Sequence, residues 1–283
     1  MKNCRKVVVK ASTEYTILIG RGILENLGEE VKKRIQPCKA AVITDTTVEK
    51  LYAAQVEKSL QEAGFTTCRF AYPAGESSKH IGTLSDMLEF LAEEEVTRQD
   101  IIVALGGGVC GDMAGFAAAV YQRGIRFVQV PTTFLAAVDS SVGGKVAIDL
   151  NAGKNLAGAF YQPKLVLMDP DVLDTLPDTV FADGMAEVIK YGFIADEAFL
   201  ESLEQNSSRA AIMGNIESVL HTCCDIKRRV VIEDELDTGL RMILNFGHTL
   251  GHAIEKNSDY QITHGHAVAI GMVLAAKLSH QLG

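Results

Sequence analysis

Ile101-Ile102-Val103-Ala104-Leu105-Gly106-Gly107-Gly108-Val109-Cys110-Gly111-Asp112-Met113-Ala114-Gly115 sets the architecture of this chain. Its first five residues are apolar at every position, the pattern of a strand buried on both faces. The glycine cluster that follows opens a helix pattern running through Val120. Such a strand–glycine–helix junction lets backbone N–H groups approach a pyrophosphate, with the helix dipole assisting. The spacing is not G-x-G-x-x-G, so the same residues also fit a tight turn with close helix–sheet packing.

Upstream of this junction, strand and helix patterns alternate. Val7-Val8-Val9, Tyr15 to Ile19, Ala40 to Thr44 and Thr66 to Ala71 read as strands. Ile23 to Ile35, Val48 to Ala63 and Ile81 to Glu95 carry apolar residues at helical spacing. This alternation predicts a parallel sheet with helices on its faces. Beyond about Leu176 the pattern becomes mainly helical and holds most of the histidines, so a second domain is expected there. Asp45 ends a predicted strand and suits either a ribose hydroxyl or a helix cap. Gly75-Glu76-Ser77-Ser78-Lys79 is a third polar loop at a strand end. Three such loops at strand C-termini point to a nucleotide.

Composition narrows the function. The 283 residues are 47% hydrophobic and 22% charged, as in a globular chain with a sizeable core. A net charge of −9 argues against general nucleic-acid binding and against an anionic membrane surface. It leaves room for a small anionic substrate held by local cations. Apolar runs stop short of the ~18 residues that span a bilayer, and no signal peptide is apparent at the N-terminus. Six scattered cysteines form no zinc-ribbon or disulfide pattern, and reduced thiols in a cytoplasm are the expectation.

Two short segments hold four of the seven histidines: Leu244 to Glu255, with His248 and His252, and Thr263 to His266, with His264 and His266. His248 and His252 are four apart and share a helix face. Histidines this dense between apolar residues point to a divalent transition metal, zinc foremost. Glu187 and Lys190 are three apart in Ala186-Glu187-Val188-Ile189-Lys190-Tyr191. They fit a surface ion pair, but their apolar neighbours indicate a helix with little solvent-facing surface, where Glu187 becomes a third ligand. Pro131-Thr132-Thr133, Asp139 to Lys145, and Gly153-Lys154-Asn155 form polar punctuation whose lysines suit phosphate contacts or plain exposed loops.

Taken in order, these motifs resemble the 3-dehydroquinate synthase family of sugar phosphate cyclases along essentially the whole chain. The carriers are Gly75-Glu76 with Lys79, Gly106 to Val109 with Gly111-Asp112, Pro131-Thr132-Thr133, and Asp139 with Gly144-Lys145. Gly153-Lys154-Asn155, Ala186-Glu187 with Lys190, and Leu244-Asn245 with Gly247-His248 and Gly251-His252 complete the set. The resemblance implies an α/β Rossmann-like NAD-binding domain with a parallel sheet over residues 1–176. A mainly α-helical domain binding metal and substrate would occupy 177–283, with the active site between the two.

Further expectations follow from the resemblance. One divalent ion, zinc or cobalt, is held by Glu187, His248 and His264, while His252 faces the substrate and His266 is structural. NAD contacts fall on Asp45, Glu76, Lys79, Gly107, Gly108, Asp112, Thr132, Thr133, Lys145, Lys154, Thr175 and Leu176. Asp139, Lys190 and His252 are the catalytic positions, and Arg123, Lys145, Asn155, Lys227, Arg241 and Asn245 bind substrate. Arg123 is expected to reach the neighbouring site of a homodimer. The implied substrate is a small anionic sugar phosphate, processed by transient oxidation, phosphate elimination, re-reduction and aldol cyclisation on the shikimate route to aromatic amino acids. Alternatives are a 2-deoxy-scyllo-inosose or valiolone-type synthase, whose substrates have no carboxylate for Lys227 and Arg241, a metal-dependent alcohol dehydrogenase, or an inactive nucleotide-binding fragment. Members of the family continue past this C-terminus with more helices and a further lysine, so the second domain is expected to be incomplete.

Overall fold

The computed structural model describes residues 4–258 and 261–282, so the outer limits expected for the two domains, residues 1 and 283, lie outside the described residues. Nine strands are present among them: β1 (Arg5–Lys10), β2 (Glu14–Ile19), β3 (Lys39–Asp45), β4 (Thr66–Tyr72), β5 (Ile101–Gly106), β6 (Arg126–Pro131), β7 (Lys145–Leu150), β8 (Gly153–Phe160) and β9 (Leu165–Met168). Seven form one sheet in the order β1-β2-β9-β6-β5-β3-β4. Only β1 runs antiparallel, to β2; every other pairing in the sheet is parallel. The uninterrupted apolar run of β5 fits this placement, since a strand paired on both sides and covered on both faces buries every one of its positions.

β3 pairs with β4 on one side and with β5 on the other, so the direction in which the chain crosses the sheet reverses between β3 and β5. Ligands of such sheets bind in the crevice beyond the strand C-termini at that reversal. Asp45 closes β3 there and Gly106 closes β5, with Gly107 leading into the Gly108–Val120 helix. A Cβ at Gly107 would lie 2.9 Å from Thr133 Cγ2, so only glycine lets the helix start this close to the end of β6.

The glycine- and lysine-rich stretch read as polar punctuation is instead a two-stranded antiparallel hairpin, β7 with β8. Val146 and Ile148 alternate inward and join Met113, Ala117 and Phe127 in the core on one side of the sheet. On the other side a single core runs from the sheet into the helical half, bringing Ile17 and Val128 together with Val188, Tyr191, Cys224 and Val231. Each such side chain, fully buried, stabilises by roughly 1.5–3 kcal/mol, so this shared core welds the helices to the sheet. The helix expected over Ile23–Ile35 is a 3-10 turn, Ile23–Asn26, followed by a helix over Leu27–Lys32.

The helical half contains Asp178–Ala195, Glu197–Gln205, Arg209–Gly214, Ile216–Glu233, His248–Asn257 and His264–Leu282. No helix among the described residues is long and apolar enough to cross a membrane.

Candidate active site

Three donor atoms converge where the Asp178–Ala195, His248–Asn257 and His264–Leu282 helices meet. His248 Nε2 and His264 Nε2 each stand 3.5 Å from Glu187 Oε1. That oxygen is buried and has no hydrogen-bond partner, a costly state for a carboxylate unless a cation joins it. The other ring nitrogens are engaged: His248 Nδ1 faces the Phe246 carbonyl at 3.3 Å, and His264 Nδ1 faces Glu255 Oε2 at 3.1 Å. Two imidazoles thus present Nε2 to one unsatisfied carboxylate oxygen, which is the donor set of a zinc or similar divalent site.

Charge supports the same arrangement. Burial alone would lower the His264 imidazole, but Glu187 and Glu255 outweigh it and raise it to about 9. Burial would raise the Glu187 carboxyl, yet the Lys190 ammonium beside it holds it below the usual carboxylate range. A site that attracts this much positive charge is prepared for a cation.

Close helix packing delivers the histidines. Gly247 takes φ 81°, in the left-handed region, and a Cβ on Gly271 would lie 2.1 Å from the Gly247 carbonyl oxygen. Any larger residue at either position forces the two histidine-bearing helices apart. His266 sits at the start of the last helix, its Nδ1 2.9 Å from Asp183 Oδ1, and Thr263 Oγ1 donates to the same oxygen at 2.6 Å. It anchors that helix to Asp178–Ala195 and stands apart from the Glu187 group.

His252 shares a face with His248, with ring centroids 5.4 Å apart, but is exposed. It groups instead with Glu255 and His264. Both Glu255 oxygens already have partners, Lys154 Nζ at 3.2 Å and His264 Nδ1 at 3.1 Å. The unpartnered Glu187 oxygen makes its own group the better cation site.

Lys190 is paired with Glu187, and both are about 1% exposed, so the surface-pair reading of this i,i+3 couple does not hold. Lys190 Nζ also lies 3.8 Å from Asp139 Oδ1. Lys227 Nζ donates to that oxygen and to the Asp139 carbonyl, each at 2.8 Å, and Tyr191 donates its hydroxyl to the same carboxylate. Burial would raise Asp139, but Lys227 and Lys190 hold it well below the usual range. Burial lowers Lys227, only partly offset by Asp139.

This network opens on a cavity of about 610 Å³ lined by Asp112, Asp139, Lys145, Asn155, Lys227 and Asp237 among others. Lys145 reaches Asp237 at 2.5 Å. Buried Lys79 bridges Asp112 Oδ2 and Asn155 Oδ1, each at 2.6 Å. Arg241 is placed differently. It is 2% exposed, donates from Nη1 to the Glu235 carbonyl at 2.6 Å and from Nη2 to the Gly143 carbonyl at 3.0 Å, and is not among the residues that line the cavity. Asn245 and Arg123 are exposed, Arg123 in a turn where Gln122, Arg123 and Gly124 all take positive φ.

At the crevice, Asp45 caps the following turn, accepting from the Thr47 and Val48 N–H groups at 2.8 and 3.0 Å, as one of its two readings requires. Its other oxygen faces Gly106. Thr132 donates its N–H to the Gly106 carbonyl at 2.9 Å, and Thr133 packs on Gly107. Thr175 Oγ1 lies 2.8 Å from the Tyr52 hydroxyl, with Leu176 next to it. Glu76 Oε1 is 3.4 Å from Lys154 Nζ. Sequence reasoning passed over Glu255, Tyr191 and Asp237. Glu255 alone carried a signal, its place three residues after His252 on one helix face.

Known proteins resemble this chain along its length. The models for the 3-dehydroquinate synthase N-terminal and C-terminal parts match residues 69–183 and 184–283. A 3-dehydroquinate synthase of Clostridium kluyveri is 50% identical over 269 residues, covering 95% of this chain and 75% of its own length. Among solved structures, 2-deoxy-scyllo-inosose synthase with carbaglucose-6-phosphate, NAD+ and Co2+ superposes with a TM-score of 0.91 at 31% identity, covering 99% of this chain and 76% of its own. The 2-epi-5-epi-valiolone synthase of Streptomyces hygroscopicus subsp. jinggangensis 5008, with NAD+ and Zn2+, gives 0.88 at 26% identity, covering 99% and 78%. By the family models and by identity along nearly its whole length, the chain belongs to the 3-dehydroquinate synthase family.

Proposed function

We propose that this chain converts 3-deoxy-D-arabino-heptulosonate 7-phosphate to 3-dehydroquinate and inorganic phosphate. The observation that carries the reading is the Glu187–His248–His264 donor set, joined through Lys190 and Asp139 to the cavity faced by Lys145, Asn155 and Lys227. When bound, NAD supplies a reversible hydride acceptor, and a divalent ion on Glu187, His248 and His264 supplies a Lewis acid. Relatives at 50% identity support this substrate over those of the inosose and valiolone synthases, at 31% and 26%.

The chain's own residues bind, orient and move protons. The substrate carries a phosphate and a carboxylate, and a protein of net charge −9 admits it through local cations. Lys145 and Asn155 take the phosphate, with Asn245 and His252 closing round it. Lys227 takes the carboxylate, with Arg241 behind it shaping the wall. Asp139, kept ionised by its two lysines, and Lys190 accept and return protons at the reacting hydroxyls. Gly107 and Gly108 cradle the pyrophosphate, Asp45 meets a ribose, and Glu76, Lys79, Asp112, Thr132, Thr133, Lys154, Thr175 and Leu176 surround the nucleotide.

We divide the chain into a nucleotide-binding domain, 1–176, and a metal- and substrate-binding domain, 177–283. The same reading makes the protein a cytoplasmic homodimer in which exposed Arg123 serves the neighbouring site, and six unpaired thiols suit that compartment.

With NAD and Zn2+ or Co2+, the purified chain is expected to release phosphate from the heptulosonate, to stop when a chelator removes the ion, and to accumulate no NADH. Accumulating NADH without phosphate release would assign an alcohol dehydrogenase instead. Phosphate release from a hexose 6-phosphate alone would assign an inosose synthase.

Lys145→Met tests the phosphate contact. Its ammonium is half exposed, so folding is spared. Losing a charge-assisted partner worth ~1.5–3 kcal/mol raises the substrate KM by about one to two powers of ten. An unchanged KM removes Lys145 from the phosphate site.

A further inference from the structure

Glu255 has no part in the chemistry above, yet it is almost fully buried and both of its oxygens are committed. It stands on the His248–Asn257 helix, one turn after His252. Oε1 lies 3.2 Å from Lys154 Nζ on β8, and Oε2 lies 3.1 Å from His264 Nδ1. Lys154 reaches onward to Glu76 at 3.4 Å, and His264 presents Nε2 to Glu187 at 3.5 Å. A line of polar contacts therefore runs from the nucleotide-side loop, through Lys154 and Glu255, to the donor set.

An imidazole binds a metal through a bare nitrogen, and the partner of its other nitrogen decides which one is bare. A carboxylate accepting Nδ1–H makes Nε2 the ligand and raises its basicity. His248 has only a backbone carbonyl in that role, at 3.3 Å. A simple surface ion pair does not account for Glu255, because its side chain is about 4% exposed and one of its two partners is a ring. A direct ligand does not account for it either, since no oxygen is left over.

We propose that Glu255 is a positioning residue. By accepting Nδ1–H of His264 it fixes the tautomer and ring orientation that offer Nε2 to the divalent ion, and by holding Lys154 it ties that ring to the β7–β8 hairpin. The proposal rests on the metal reading of Glu187, His248 and His264, and Glu255 itself touches no substrate.

The experiment is metal affinity, measured by competition with a chromophoric chelator, together with the absorption spectrum of the Co2+-loaded protein. Wild type is compared with Glu255→Ala and the isosteric Glu255→Gln. We expect Glu255→Ala to weaken ion binding by about 10–100-fold and to alter the Co2+ bands. Glu255→Gln, which keeps an acceptor oxygen, should lose less. If the alanine variant does not fold, the glutamine variant decides. Affinities within twofold of wild type and an unchanged Co2+ spectrum overturn the positioning role while leaving the metal reading intact. A wild-type protein that binds no stoichiometric ion overturns both.

Discussion

Glu187→Ala, His248→Ala and His264→Ala each lose the tightly held divalent ion, whereas His252→Ala keeps it. Each of the first three removes one of three atoms that converge on a single point, and Glu187 removes the carboxylate that makes the point attractive to a cation. The loss should exceed the ~10–100-fold that outer-sphere changes cost, and activity should go with it. His252 is exposed and is not one of the donors grouped with Glu187. Metal analysis of the four purified variants after gel filtration decides the matter. Metal lost from His252→Ala but kept by His264→Ala would remove His264 from the ligand set.

Asp139→Asn is the variant expected to cost most in stability. It removes the charge that faces two buried ammonium groups, Lys227 at 2.8 Å and Lys190 at 3.8 Å. Breaking a buried pair costs ~3–5 kcal/mol, and because the Asp139 side chain is 23% exposed the lower end applies. The sign with pH follows from the depressed carboxyl. Its contribution is complete above the unfolded value of about 3.9 and is lost only as acid brings the pH through its lower folded value. The difference from wild type is therefore full near neutral pH. In alkaline buffer it shrinks, because Lys227, already lowered by burial, sheds its proton once its counter-ion is gone. Urea unfolding of the two proteins across pH reads this directly. Equal midpoints near neutral pH would show that the ammonium groups keep their hydration.

What the sequence disclosed follows the physics of each segment. Strands β3 and β5 are readable because a strand paired on both sides leaves a nearly unbroken apolar run, and β2 because its second half, Ile17 to Ile19, does the same. The β7–β8 hairpin was not, although Val146 and Ile148 alternate inward, because flanking glycines and lysines look like loop chemistry. β9 is four residues long and gives too short a run to count as a pattern. At the site, His248 and His264 were both noticed, but spacing within one helix paired His248 with His252. The meeting of His264 with Glu187 depends on two helices packed through Gly265 and Asp183, a tertiary fact that no local period encodes. Tyr191 has no sequence signal because a buried phenol announces itself only through a partner distant in the chain, and the one signal of Glu255, its place after His252, does not disclose that it is buried.

The position of β9 has a bearing on how the protein is made. Thr16 in β2 pairs with Leu165 in β9, so the first hairpin has no parallel neighbour until most of the sheet has been synthesised. Pairings this distant in sequence are slow to close, because the entropy of the intervening loop is lost before the contact forms. During translation the open flank of β2 is an unpaired strand edge, the kind of surface on which nascent chains associate wrongly. The four residues of β9 are thus the late piece that joins the opening hairpin to the parallel sheet, through β2 on one side and β6 on the other.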